Sequence, residues 1–113
     1  MNKSNTTPFP KDFTVETYVC TAVPFELGKM VMTQSVADII ENNLGSEGSL
    51  YIALARYKNG DWGNICIEDK ITNDEATRTG ERVLSEYTLC GERIWIITER
   101  DRSVTTVLLP GEY

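Results

Sequence analysis

The chain contains no histidine in its 113 residues. Histidine is the usual general base near neutral pH and the commonest metal ligand, so its absence excludes Ser-His and Cys-His nucleophile pairs. A catalytic site would have to use carboxylates, Arg, Lys, Tyr, Ser, Thr or Cys. Enzyme activity therefore stays open, with a narrow choice of chemistry.

Cysteine is scarce, and Cys20, Cys66 and Cys90 show no CxxC spacing. An odd number with this spacing suits neither a disulfide framework nor a zinc ribbon. We expect reduced and mostly buried thiols. Ile65 and Ile67 on either side of Cys66 predict that this thiol is buried and inert. No cofactor and no bound metal are predicted.

Long apolar runs are missing as well. The longest ones, residues 94–97 and 107–109, are far too short to span a bilayer, and residues 1–11 lack the apolar stretch of a signal peptide. Basic residues are also the minority, because 11 Lys and Arg against 17 Asp and Glu give a net charge of −6. These features predict a cytoplasmic protein that disfavours nonspecific nucleic-acid binding and favours a partner with a basic surface.

The length and ordinary composition predict a single domain. Residues 1–24 are interpreted as an N-terminal arm and an extension strand over 13–23, and residues 25–113 as the domain proper. A short strand is predicted at 28–32, followed by a helix with Thr33 or Ser35 as its N-cap and Gly45 as its stop. The apolar stripe of this helix consists of Val36, Ile39, Ile40 and Leu44.

Two more helices are predicted before the sheet. Residues 50–57 fit a helix or a strand, and Ser49 as an N-cap favours the helix. The capping-box pattern of Thr72 to Glu75 predicts the start of a short helix that Gly80 ends.

The remainder predicts three consecutive antiparallel strands at 82–89, 93–98 and 104–109. Helices that precede a meander indicate an α+β fold, because there are too few strand-helix-strand units for a doubly wound sheet. We expect an antiparallel sheet of about three to five strands with two or three short helices packed on one face.

The second half of the chain resembles a known family. The residues that carry the resemblance are the GDWG turn at 60–63 and the run WIITERDRSVTTVLLPGEY at 95–113. They are similar to small plasmid-related proteins carried by bacterial plasmids and integrative elements, to which no activity is attached. That family places histidine at Tyr57 and aspartate at Asn64, so the resemblance implies a binding or structural role for this member.

Two loops are candidates for function. In the first, Asp61 and Trp62 lie between glycines, where an acid and an aromatic could contact a ligand or partner; alternatively, Trp62 folds back into the core and Asp61 caps the turn. Arg56 precedes this loop and could share one cleft with the arginines and hydroxyls of the second loop.

The second loop is dense in charge and consists of Glu99, Arg100, Asp101, Arg102 and Ser103. Its arginines and hydroxyls could bind a phosphate or a carboxylate, or the charges could only close the turn. A carboxylate cluster of Asp61, Glu68, Asp69, Glu99 and Asp101 could hold a divalent ion, although a solvated acidic face is the commoner outcome.

These observations favour a non-enzymatic accessory protein of a mobile genetic element that binds a protein partner, such as a host or defence factor. The candidate binding residues are Arg56, Asp61, Trp62, Glu99, Asp101, Arg102 and Ser103. The alternative is a small histidine-free, nuclease-like hydrolase with a carboxylate and arginine site. A homodimer that pairs through a sheet edge is a third hypothesis.

Overall fold

Three helices and four strands make up residues 18–113, the part of the chain that the structure, a computed structural model, describes. In chain order they are β1 (Lys29–Met32), α1 (Gln34–Asn42), α2 (Ser46–Lys58), α3 (Ile67–Thr79), β2 (Val83–Leu89), β3 (Glu92–Thr98) and β4 (Val104–Leu108), followed by a 3₁₀ turn at Pro110–Glu112. None of the helices in residues 18–113 is long and apolar enough to cross a membrane.

The four strands form one sheet in the order β1-β4-β3-β2. β2, β3 and β4 are the antiparallel meander that the sequence predicts. β1 lies parallel to β4, with Lys29 beside Val104 and Met32 beside Val107. The α+β prediction is confirmed, and β1 and β2 are the two edge strands.

The core lies between the helices and one face of the sheet. Alternate residues of β2 and β3 point to this face, and each helix contributes at least one buried apolar residue. The buried apolar residues of this cluster are Val36, Leu50, Ala53, Tyr57, Trp62, Ala76, Val83, Tyr87, Leu89, Ile94, Ile96 and Val107. Gly63 permits close packing here, because its φ is 71° and a Cβ at this position would collide with the Glu86 carbonyl and the Tyr87 ring.

α1 is capped as the sequence predicts, since the Thr33 hydroxyl accepts a hydrogen bond from the Val36 N–H at 3.4 Å. The helix is shorter than its predicted stripe. It ends at Asn42, so Leu44 lies in the turn to α2 and is fully exposed. Gly45, with φ of 88°, then redirects the chain directly into α2.

The predicted starts of the other two helices are wrong. α2 begins at Ser46 rather than after Ser49, so residues 46–49 belong to the helix and are not a linker. The Ser46 hydroxyl donates to the carbonyls of Ile40 and Asn43 and so fixes this start against the end of α1. α3 begins at Ile67, five residues before the capping-box pattern. Thr72 instead donates to the Glu68 carbonyl inside the helix. The predicted end of α3 at Gly80, whose φ is 84°, is confirmed.

The predicted extension strand is not found over residues 18–23, which have no regular secondary structure; residues 13–17 lie outside the described part of the chain. These residues run along α3 instead. The Val23 N–H donates to the Thr77 hydroxyl at 3.0 Å, and Arg78 donates to the carbonyl and hydroxyl of Thr21. The pairing groups that a strand needs are therefore used by helix side chains.

The prediction of buried cysteines is wrong. Cys20, Cys66 and Cys90 are all free and exposed. Cys66 is the N-cap of α3, where the chain turns at the surface, and Cys90 has a φ of 52° in the β2–β3 turn. An apolar neighbourhood in sequence did not indicate burial, because Ile65 points towards the core while Cys66 points out.

Candidate functional site

Trp62 is a core residue, with 1% of its surface exposed. Its ring packs edge-on to Tyr57 at 5.6 Å between centroids and lies 6.1 Å from Phe25. Its indole N–H donates to Asp74 at 2.7 Å. Of the two interpretations of the Gly-flanked turn, the structure supports the one in which Trp62 closes the core, and a direct partner contact by this ring does not fit its burial.

Asp61 and Arg56 form an exposed pair beside this turn. The guanidinium donates to both carboxylate oxygens at 2.8 and 3.1 Å and lies 5.2 Å above the ring of Tyr87. The hydrogen bond from Arg56 holds the pKa of Asp61 below its ordinary value. Because the carboxylate also accepts from the Gly63 N–H at 3.4 Å, this pair holds the turn closed.

Arg102 ties the charged turn to α3. Its guanidinium donates to the carbonyls of Ala76, Glu81 and Glu99 and lies 5.7 Å from the ring centre of Phe25. A guanidinium that is already bonded to three carbonyls has few donors left for a phosphate.

The other residues of this turn serve the turn itself. Asp101 accepts from the N–H and hydroxyl of Ser103, and Arg100 pairs with Glu81 at 3.0 Å. The Glu99 carbonyl accepts from the backbone N–H of Arg102 at 2.9 Å. These contacts match the interpretation in which the charges close the turn.

The two loops approach each other at Phe25, since Trp62 and Arg102 both contact this ring. Their polar groups have separate partners, so the structure does not gather them into one cleft. Within residues 18–113, no group of three or more Cys, Asp or Glu side chains is placed to hold a metal ion. The proposed carboxylate cluster is therefore not assembled.

Asp74 is a polar centre that the sequence did not single out. It is only 2% exposed, and its carboxylate accepts from the Tyr18 hydroxyl at 2.7 Å, the Thr21 N–H at 3.0 Å and the indole of Trp62. Burial by itself raises its pKa, but these hydrogen bonds outweigh burial and leave the pKa below its ordinary value. Asp74 joins residues 18–21 to α3 and the Trp62 turn. Nothing in the sequence distinguishes it from its exposed neighbours.

An apolar groove of about 470 Å³ lies between β1, α1 and α2. We call it the β1 groove. Its apolar lining includes Met30, Met32, Ile40, Leu50, Tyr51 and Leu54, and Glu41 and Glu47 complete its lining. On α2 the lining residues recur at the spacing of one helical face, at 47, 50, 51 and 54.

Several apolar side chains of the β1 groove are left in solvent. Met30, Met32 and Tyr51 are 41%, 45% and 64% exposed. Isolated exposed apolar residues are common, but these three line one groove together with buried Leu50 and Val107. The sequence predicted the strand and both helices here, but not that they would leave a groove between them.

Among residues 18–113, the backbone of β1 is paired on one side only, with β4. The Lys29 N–H donates to Ser103 and the Thr33 N–H donates to Val107, both on the β4 side. Because successive residues of a strand point their N–H and C=O groups to opposite sides, the groups of Met30 and Met32 point away from β4. The β1 groove thus adjoins a row of backbone donors and acceptors that no residue of the described part of the chain pairs with.

No family model, no curated protein and no solved structure matches the chain.

Proposed function

We propose that this chain is a non-enzymatic accessory protein that acts by binding a protein partner in the β1 groove. The observation that carries the proposal is that exposed apolar side chains, Met30, Met32 and Tyr51, line one groove beside a free strand edge. Exposed methionines and tyrosines are typical of protein-binding surfaces, because both side chains adapt to a partner's apolar surface.

Charge favours a basic partner over a second copy of the chain. The net charge is −6, and Glu41 and Glu47 lie at the groove. A partner segment with Lys or Arg would complement these carboxylates. A second copy would bring another Glu41 and Glu47 to the same place, where like charges repel.

The resemblance to plasmid-borne proteins supports a role in a mobile genetic element, with a host or defence factor as the partner. The hydrolase alternative has less support. Its residues Arg56 and Asp61 bond to each other, and Arg102 bonds to backbone carbonyls.

The proposal is tested by selection from a displayed library of peptides that tile bacterial proteomes. We expect enriched peptides that bind the purified chain and contain apolar residues with a nearby Lys or Arg. Met32→Lys should weaken their binding by about tenfold or more, because the new ammonium must be desolvated in the groove. Ile71→Lys, which changes an exposed apolar residue on α3 outside the groove, should leave binding unchanged.

Two results would refute this function. One is enrichment of peptides that bind the Met32→Lys variant as well as the unchanged chain. The other is light scattering that shows a stable dimer in which Met32→Lys abolishes dimerisation, since the groove would then be the contact between two copies.

A further inference from the structure

The partner's manner of binding follows from the free edge of β1. We propose that the partner segment binds as a fifth strand of the sheet, next to β1, with alternate side chains entering the β1 groove and a Lys or Arg near Glu41 and Glu47. This inference rests on the proposed function, and it specifies the backbone conformation and residue pattern of the partner.

The first step is the hydrogen-bonding capacity of the edge. Lys29, Val31 and Thr33 face β4 through their backbone groups, as the bonds to Ser103 and Val107 show. Met30 and Met32 therefore present two N–H donors and two C=O acceptors outward. An added strand would satisfy these four groups with ordinary ladder hydrogen bonds.

The second step is the direction of the side chains. Met30 and Met32 lie beside Thr105 and Val107, both buried on the face of the sheet that the helices cover. Residues directly opposite each other in a sheet point to the same face. The partner residues opposite Met30 and Met32 would therefore point towards α1 and α2, against Tyr51 and its apolar neighbours.

The third step separates a strand from a helix as the bound form. A helix laid over the groove would cover the outward N–H and C=O groups of Met30 and Met32 without offering them partners, because its own backbone groups are already paired. Buried and unpaired backbone groups are costly, so covering this edge favours an extended segment.

β1 is short and begins with Lys29, but the two residues whose backbone groups face outward carry no proline or charge. Edge strands in soluble proteins are commonly blunted by proline, bulges or charged residues. β1 has the sequence Lys-Met-Val-Met, is free of proline, and carries its one charge at the first position. The two residues whose backbone groups face outward are both methionines.

The test is an N-methyl scan of a peptide enriched in the display selection, measured by its affinity for the full chain. Methylation removes one backbone donor at a time. In an added strand, only alternate residues point their N–H groups to β1, so we expect losses of about tenfold at every second position and little change between them. If the sensitive positions are the apolar ones, the strand runs antiparallel to β1; if they are the intervening ones, it runs parallel.

A scan without this period of two would overturn the inference. If methylation weakens binding at several positions in a row, the peptide binds as a helix in the groove. If methylation weakens binding nowhere, the peptide binds through its side chains alone. Both results leave the proposed function standing. Failure to enrich any groove-dependent peptide overturns the proposed function as well, so the two failures are distinguishable.

A pair of variants tests the same edge from the other side. Met32→Ala shortens the side chain, and Met32→Pro shortens it and also removes the outward N–H, while the β1–β4 bonds use other residues. We expect the proline variant to bind the peptide about tenfold more weakly than the alanine variant. Equal binding by two variants of equal melting temperature would contradict strand addition.

Discussion

At the scale of single residues, Asp74 organises the polar part of the structure. It accepts hydrogen bonds from Tyr18, Cys20 and Thr21 in one segment and from Trp62 in the turn after α2. A buried carboxylate is tolerated only when such donors replace the water it has lost. The cost of removing it is therefore the cost of leaving its donors without an acceptor.

Asp74→Ala is expected to lower the free energy of unfolding by about 3 kcal/mol, because four buried or half-buried donors, one of them the weak Cys20 thiol, lose a charged acceptor. Urea denaturation of the purified chain measures the change. Glu75→Ala is the matched control, since Glu75 is the next residue of α3 and is exposed; it should cost less than about 0.5 kcal/mol. Similar losses for the two variants would contradict the assigned role of Asp74.

The lowered pKa of Asp74 predicts the sign of a pH dependence. A carboxyl whose pKa is lower in the folded state than its ordinary 3.8 stabilises the fold above that value. This contribution is lost as the pH falls from about 4 through the folded-state pKa. The difference in unfolding free energy between the unchanged chain and Asp74→Asn should therefore shrink with acidification below pH of about 4. A difference that grows over this range would show that the pKa is raised instead.

At the scale of elements, residues 18–27 behave as a strap across α3 and the core. Tyr18, Ala22, Phe25 and Leu27 are half-buried against the core cluster. The sequence, with its β-branched residues, predicted a strand here. The side chains of Asp74, Thr77 and Arg78 instead form hydrogen bonds with the backbone of residues 21 and 23. Local propensity does not reveal tertiary contacts of this kind.

Deleting residues 1–24 is expected to destabilise residues 25–113 by about 2 kcal/mol, since Asp74 loses its donors Tyr18, Cys20 and Thr21. Asp74→Ala removes the hydrogen bonds that the deletion removes and, in addition, the one from Trp62. In a double-mutant cycle, Asp74→Ala should therefore cost clearly less in the shortened chain than in the full one. Additive losses in urea denaturation would mean that the two regions act independently.

Helix boundaries were the elements least accessible from the sequence. The meander was predictable because its strands alternate and are separated by turn residues, and the Thr33 cap and the Gly80 stop carry strong local signals. The start of α3 was not predictable, because its N-cap is Cys66, whose side chain makes no capping hydrogen bond. The capping-box pattern at Thr72 lies inside the helix instead.

At the scale of the whole molecule, the net charge of −6 would act on the proposed association with a basic partner. Electrostatic attraction speeds encounter and is screened by salt. We expect the association rate of a groove-binding basic peptide to fall by about tenfold between low and physiological salt, with a smaller change in the dissociation rate. Stopped-flow mixing measures both rates.

Charge-matched variants test whether the effect is local to the groove. Glu41→Lys with Glu47→Lys should slow association more than Glu75→Lys with Glu92→Lys, although both pairs change the net charge equally and all four residues are exposed. Equal slowing by the two pairs would assign the effect to the overall charge and remove the argument from Glu41 and Glu47.

The β1 groove itself could not be predicted from the sequence, for a topological reason. The pattern at 28–32 indicates a strand but not its neighbours, and only the parallel pairing with β4 makes β1 an edge. The loop residues were predictable as turns, and Trp62 illustrates the remaining ambiguity. A tryptophan between two glycines could lie in solvent or in the core, and the acceptor that holds it inside, Asp74, is twelve residues away.

Amide hydrogen exchange along β1, with and without a saturating groove-binding peptide, tests the central claim most directly. In the free chain, Met30 and Met32 should exchange rapidly while Val31, which faces β4, is protected. With the peptide bound, the amides of Met30 and Met32 should become protected as well. Unchanged rapid exchange at both residues in the saturated complex would contradict binding by strand addition at this edge.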